Sequence, residues 1–338
     1  GELTGAVLAT SAVANGLFAG DPYAVGIAGG FSSPTAARLL RGADVVIAFG
    51  AALNQWTTRH GTLITGRVIQ VDRDEEAIAA HRPVDLGIVG DALATAEALL
   101  DTLAPAGAPA ASPPAAGAPA ASPPAAGAPT MSRRTPALAD EIAAGAWRHV
   151  PYDASTTHLD PRTLSIALDD MLPPERTVVV DSGHFMGWPS MYLRVPDAAG
   201  FVFPQAFQCV GLALGNAIGA AIARPDRLTV AALGDGGALL ALPEFETLGR
   251  LRLPILVVIY DDAAYGAEVH HFRPMGQAVD LAQFPDTNFV GLAQAAGCRA
   301  TGDVDDLRGW LANPDGPMVL DAKIDPDIVA EWLEEAFR

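Results

Sequence analysis

Two short acidic turns hold the residues best suited to chemistry. Gly234-Asp235-Gly236-Gly237 and Asp261-Asp262 each close a short apolar run, and Asp235 and Asp262 stand 27 positions apart. Carboxylates gathered at one place repel each other unless a cation sits between them. Oxygen ligands with a phosphate partner suit Mg²⁺. The glycines at 234, 236 and 237 leave room for a diphosphate to approach backbone N–H groups. A lone GDG reads more simply as an ordinary βα turn with solvated aspartates. The second acidic turn, followed by Tyr265-Gly266, shifts the balance towards a site. Glu268, His270 and His271 come next. A histidine pair suits acid–base steps; a polar rim on a helix start is the alternative.

The elements around these turns would bring them together. Leu228–Leu233 has the length and glycine boundary of a buried parallel strand. Pro243 opens a helix, with Glu244 and Glu246 in its first turn, where carboxylates complement the helix dipole. Ile255–Tyr260 is a second β-rich run. Two parallel strands joined by a helix end on the same edge of the sheet. Asp235 and Asp262 then face one crevice, where open α/β sheets bind ligands.

Strands alternate with helices through the rest of the chain, which predicts an α/β protein with two Rossmann-like, doubly wound parallel-sheet domains. The first spans 1–103, with strands at Ala6–Thr10, Asp44–Phe49, Arg67–Val71 and Gly87–Val89 and helices at Pro34–Arg41 and Ala92–Leu103. Asp72, at a strand end, is placed to hold a ribose, but Gly26–Pro34 does not spell GxGxxG after a strand. Residues 104–135 form an Ala/Pro/Gly-rich linker in which AGAPAASPPA occurs twice, with nothing to bury. The second domain spans 136–338, with a strand at Thr177–Val180, a small-residue helix at Gly211–Ala223, a strand at Pro317–Asp321 and a terminal helix at Ile328–Phe337.

GDG followed at this interval by an acid or amide pair resembles the signature of thiamine diphosphate (ThDP) enzymes, in particular the acetolactate synthase and benzoylformate decarboxylase group. The resemblance implies Asp235, Asp262 and the backbone carbonyl of Ala264 as Mg²⁺ ligands. It places Gly183, His184, Gln208, Val210, Gly234, Gly236, Gly237, Tyr265 and Gly266 around the cofactor. Asp181–Trp188 is similar to the family's DVGQHQMW segment, whose Gln and His contact the diphosphate; here those positions are His184 and Phe185. Gln208-Cys209-Val210-Gly211 is similar to GTMG. That match gives the Gln208 carbonyl the aminopyrimidine and Val210 the task of propping the cofactor in its bent form. With His184 and His270, these two are the catalytic candidates. The family commonly has Asn at both positions of the later pair, so two aspartates add negative charge beside a diphosphate.

The first domain resembles the family's middle domain through LATSAVANGLFAGDPYAVGIAGG. In acetolactate synthases that domain holds FAD. The usual Gly-Ala-Arg is Gly50-Ala51-Ala52 here, which weakens the FAD reading. Trp56, Arg59 and His60 follow, better suited to packing than to a site. The family's activating Glu lies on an N-terminal pyrimidine-binding domain, usually of a neighbouring subunit. The chain starts at Gly1 and shows no such domain, so it reads as part of a longer protein or as a subunit. The expected activity is acetolactate-synthase-like carboligation or decarboxylation of a 2-oxo acid, in a homo-oligomer (dimer or tetramer), once that domain is supplied from a parent chain or partner. The expectation for the chain alone is inactivity. A catalytically silent ThDP- or nucleotide-binding scaffold is the second reading.

Composition fits. Twenty-one Lys and Arg against 39 Asp and Glu leave a formal charge of −18, which disfavours nucleic acid and anionic membranes. Half the residues are apolar and mean hydropathy is +0.25, so a packed core is expected. Cys209 and Cys298 form neither zinc spacing nor a disulfide framework, which suits a reducing, cytoplasmic setting. The start has no secretory pattern, and no run reaches membrane-spanning length.

Overall fold

The computed structural model describes residues 1–103, 133–207 and 209–336; Gln208 and most of the 104–135 linker lie outside them. The first half contains β1 (Leu8–Thr10), β2 (Ala24–Ile27), α1 (Pro34–Arg41), β3 (Val45–Phe49), α2 (Gln55–Thr58), β4 (Arg67–Asp72), β5 (Leu86–Val89) and α3 (Ala92–Leu103). Its strands are parallel, as the alternation of elements predicts. They form two separate sheets, β1-β2 and β3-β4-β5, rather than one continuous sheet. Val46, Ala48 and Val68 pack on Ala37, Leu53, Leu63 and Ile64. The opposite face of β3, carrying Val45, Ile47 and Phe49, is 38–40% exposed.

The second half begins with α4 (Pro136–Ala144), α5 (Pro161–Met171), β6 (Arg176–Val180), α6 (Gly187–Tyr192), β7 (Phe201–Val202) and α7 (Ala213–Ala223). It continues through β8 (Leu228–Gly234), α8 (Asp235–Leu240), α9 (Leu242–Leu251), β9 (Ile255–Asp261) and α10 (Gly266–Phe272). It closes with α11 (Phe289–Ala295), β10 (Arg299–Thr301), α12 (Leu307–Leu311), β11 (Met318–Lys323) and α13 (Glu331–Ala336). The six strands make one parallel sheet in the order β10-β11-β9-β8-β6-β7. The chain leaves β6 for the edge strand β7 and returns to β8 on the other side of β6, so the winding reverses there. Such a switch point opens a crevice beyond the carboxyl ends of the strands.

Helices cover both faces, which explains why β6 and β9 are buried along their whole length. One core joins Val178, Val180, Val230, Leu256 and Val258 to Trp188, Trp310 and Trp332; the other joins Val179, Ala231, Val257 and Ile259 to α7 and α9. Ile27 and Phe31 of the first half belong to the former core. The Trp147 indole N–H donates to the Phe31 carbonyl across the junction at 2.7 Å.

The sequence differs from the structure at the glycine-rich turn. Asp235–Leu240 is already helical, so β8 runs straight into α8 and a second helix starts at Leu242. The glycines still matter at 236 and 237. A side chain at Gly236 would collide with the Tyr265 ring, and one at Gly237 with the Asp181 carboxylate.

Candidate functional site

The ends of β6, β8 and β9 deliver Asp181, Asp235 and the Asp261-Asp262 pair to one edge of the sheet. Asp235 is the first residue of α8 and only 3% exposed. Burial pushes its pKa up to about 8, and the charges of Asp262 and Asp261 add to the shift, while the Gly236 and Ala264 backbones oppose it. This is the behaviour of two buried carboxylates short of positive charge. Among the described residues no protein hydrogen bond ends on the Asp262 carboxylate, whose side chain is 8% exposed.

Asp261 behaves differently. Its Oδ2 lies 2.5 Å from Lys323 Nζ, and its Oδ1 accepts from the Ala263 N–H at 3.0 Å. Lys323 also reaches Asp286 at 2.6 Å and Asp321 at 3.4 Å. Burial alone would lower the Lys323 pKa, but its hydrogen bonds to Asp261 and Asp286 raise it. The first aspartate of the pair is thus neutralised locally, and Asp235 and Asp262 are the carboxyl groups left without a lysine or arginine partner among the described residues.

Ala263, at φ +54°, turns the chain so that Ala264 bridges to Gln283. Tyr265 N–H donates to the Ala282 carbonyl at 2.8 Å and Phe284 N–H to that of Ala263 at 2.7 Å. These bonds hold the backbone around Ala264 in a fixed frame close to Asp262. Tyr265 lies edge-on to Phe284, 4.8 Å between centroids, and against Gly236. A side chain at Gly266 would strike Asp262 Oδ2 and His184 Nδ1. The sequence candidates Gly234, Asp235, Gly236, Asp262, Ala264, Tyr265 and Gly266 therefore share one place.

Asp181 is fully buried and accepts backbone N–H groups from Ser182 at 2.9 Å, Gly211 at 2.9 Å and Leu212 at 3.3 Å. Burial raises its pKa against these bonds. It ties the 209–212 turn to β6 and brings Val210 beside Gly237. The sequence marked Asp181 as the first residue after a strand and of the segment similar to DVGQHQMW, with no role of its own.

His184 is buried, and its Nε2 accepts the Ala330 N–H at 2.9 Å. Its Nδ1 stands 3.7 Å from Asp262 Oδ2, so the ring is turned to the acidic turn after β9 and to the C-terminal segment. Phe185 lies in the core beneath Gly234, stacked on Tyr260 at 5.6 Å, and presents nothing polar to the crevice. Gly183 is needed at its position, with φ +142°. His270 packs over His184 at 4.5 Å. Burial pulls its pKa down to about 4, with His184 acting the same way and Asp262 opposing. A small cleft of about 80 Å³ opens beside these residues, lined by Asp262, Ala264, Gly266, His270, Arg273 and Asp327. Glu268 points to a neighbouring, more apolar cleft with Tyr265 and Phe272.

In the first half, Arg59 donates to the Gly29 and Ser32 carbonyls at 2.9 Å each, so it fastens the 29–32 loop. Asp72 accepts from the Asp74 N–H at 3.1 Å and so caps its own turn. Among the described residues no three His, Cys, Asp or Glu side chains converge as a metal cluster.

Residues 1–99 match the model of the thiamine pyrophosphate enzyme central domain, and residues 181–322 match that of the C-terminal TPP binding domain. The chain belongs to the thiamine diphosphate-dependent enzyme family. It is 31% identical over 278 residues to the sulfoacetaldehyde acetyltransferase of Alcaligenes xylosoxydans xylosoxydans, covering 79% of this chain and 46% of that one. It is 28% identical over 183 residues to the acetolactate synthase of Bacillus subtilis (strain 168), covering 52% and 32%. Among solved structures it superposes on a Rhodococcus jostii RHA1 thiamine diphosphate-dependent 4-hydroxybenzoylformate decarboxylase with a TM-score of 0.67 at 20% identity, covering 95% of this chain and 56% of that one. This last likeness shows the fold. The ThDP-family chain spans about half the length of the curated relatives it matches. No helix among its described residues is long and apolar enough to cross a membrane.

Proposed function

We propose that this chain forms the central and diphosphate-binding parts of a ThDP- and Mg²⁺-dependent enzyme that joins or cleaves carbon–carbon bonds of 2-oxo acids. One observation carries the reading: Asp235 and Asp262 are buried together with no lysine or arginine paired to them among the described residues, while Asp261 beside them has Lys323. A divalent ion bound by Asp235, Asp262 and the Ala264 carbonyl answers that deficit, and hard oxygen donors fit Mg²⁺. The glycines at 236 and 237 let Tyr265 and Asp181 close on the start of α8, and a diphosphate would meet the backbone N–H groups there. Val210, beside Gly237, is the residue that would prop the cofactor in its bent form.

When bound, ThDP supplies an acidic thiazolium carbon that adds to a 2-oxo group and accepts the electrons released with CO₂. The chain's own residues orient and enclose that chemistry. His270 lines the cleft and would face the substrate there; burial lowers its pKa, which weakens it as a base. The relatives named as an acetyltransferase and an acetolactate synthase favour carboligation over simple decarboxylation. The pyrimidine-binding domain comes from a parent chain or partner, and the working enzyme is a homo-oligomer.

Calorimetric titration of the chain with ThDP and Mg²⁺ tests the site. Saturable binding that needs Mg²⁺ and is lost in Asp235→Ala is expected. Binding unaffected by that substitution overturns the assignment. Supplying the separately expressed pyrimidine-binding domain should restore turnover of pyruvate; binding without turnover in that mixture favours a silent scaffold.

A further inference from the structure

His184 sits where three parts of the molecule meet: the turn after β6, the acidic turn after β9, and the stretch leading into α13. Its Nε2 accepts the Ala330 N–H at 2.9 Å, so that nitrogen carries no proton. A second bond fixes the backbone, since the Trp332 indole N–H donates to the His184 carbonyl at 3.2 Å. In the neutral ring the proton must then lie on Nδ1. That atom is buried and has no hydrogen-bond partner among the described residues. It faces Asp262 Oδ2 at 3.7 Å, beyond bonding distance by less than about 1 Å. Gly266 leaves the path between the two atoms open, because a side chain there would touch both.

Resting on the metal site proposed above, we infer that His184 is a positioning residue, not a phosphate donor: the C-terminal segment locks its Nδ1–H tautomer, and this N–H orients Asp262 for the cation. The chemistry is that of a partner which acts on a ligating carboxylate from behind. It holds one oxygen so that the other turns to the ion, and loss of such a partner typically weakens metal binding about 10–100-fold. The sequence 146 positions downstream thereby sets the geometry of the acidic turn.

The full chain labelled with ¹⁵N-histidine provides the first test. Long-range ¹⁵N–¹H correlation should show His184 with a bare Nε2 and a protonated Nδ1, and the Nδ1 signal should move when Mg²⁺ is added. An Nε2–H tautomer, or an Nδ1 signal indifferent to Mg²⁺, overturns the inference. Mn²⁺ titration followed by electron paramagnetic resonance provides the second. His184→Asn, whose amide reaches the Nδ1 position, should stay within about 3-fold of the parent, and His184→Leu should bind about 10–100-fold more weakly. Parent-like binding by a folded His184→Leu overturns the inference, and if that variant does not fold the tautomer measurement decides. Failure of the metal site itself looks different: Asp235→Ala and Asp262→Ala would then both bind Mn²⁺ like the parent.

Discussion

Lys323 decides what charge the crevice presents. Its ammonium neutralises Asp261, whereas Asp235 and Asp262 have no lysine or arginine partner among the described residues. Lys323→Met removes the partner of a buried carboxylate, and because the lysine is 42% exposed the expected loss is toward the low end of such deletions, about 1–3 kcal/mol in urea unfolding. Adding Asp261→Asn should recover most of it, since an amide needs no counter-ion; no recovery would mean the pair is not the source. The acids also fix the pH response. Asp235 is raised from 3.8 to about 8 in the folded state, so the native protein holds a proton the unfolded chain has lost. Its contribution is present at low pH and is lost as pH rises towards 8. His270, lowered from 6.5 to about 4, contributes above 6.5 and loses that contribution as pH falls towards 4. The metal-free chain should therefore show a falling Tm between pH 6.5 and 8, with Mg²⁺ raising Tm more at pH 8 than at pH 6. An equal Mg²⁺ effect at both would refute the coupling.

At the scale of elements, Asp181 is the brace between β6 and the turn that leads into α7. Asp181→Ala leaves the Gly211 and Leu212 N–H groups without their acceptor, at about 1–3 kcal/mol each where they stay dry. Hydrogen exchange should accelerate at 209–212 while β9 amides keep their protection; uniform loss across the sheet would instead mean global destabilisation. The strands carrying the acids were legible from the sequence, because β8 and β9 are unbroken apolar runs ending in glycine or aspartate. The short strands β2, β7 and β10 were not, since two to four residues carry no period and owe their form to a neighbour. The helix at Asp235 was missed for a related reason. Three glycines read as a turn, but the backbone there is held between Tyr265, Asp181 and β8. The site itself was legible as types and spacing, not as partners. Lys323 lies 62 residues from Asp261, and Ala330 lies 146 from His184. Pairings over such distances leave no local pattern.

At the scale of the molecule, the two halves share a core, with the Phe31 ring edge-on to Trp332 at 6.0 Å. The tryptophan that holds the His184 carbonyl thus also touches the first half. In the first half, Val45, Ile47 and Phe49 stand on a strand that is an edge of its sheet among the described residues, with backbone groups open on that side. A water-facing apolar strip of this kind makes self-association a matter of ionic strength. With a formal charge of −18, copies of the chain repel each other in dilute buffer. Raising NaCl to about 1 M shrinks the screening length to about 3 Å and leaves the strips free to meet. Light scattering should then climb with salt in the parent and stay flat in Ile47→Lys, a colloidal signature set by one exposed strand rather than by the acidic crevice.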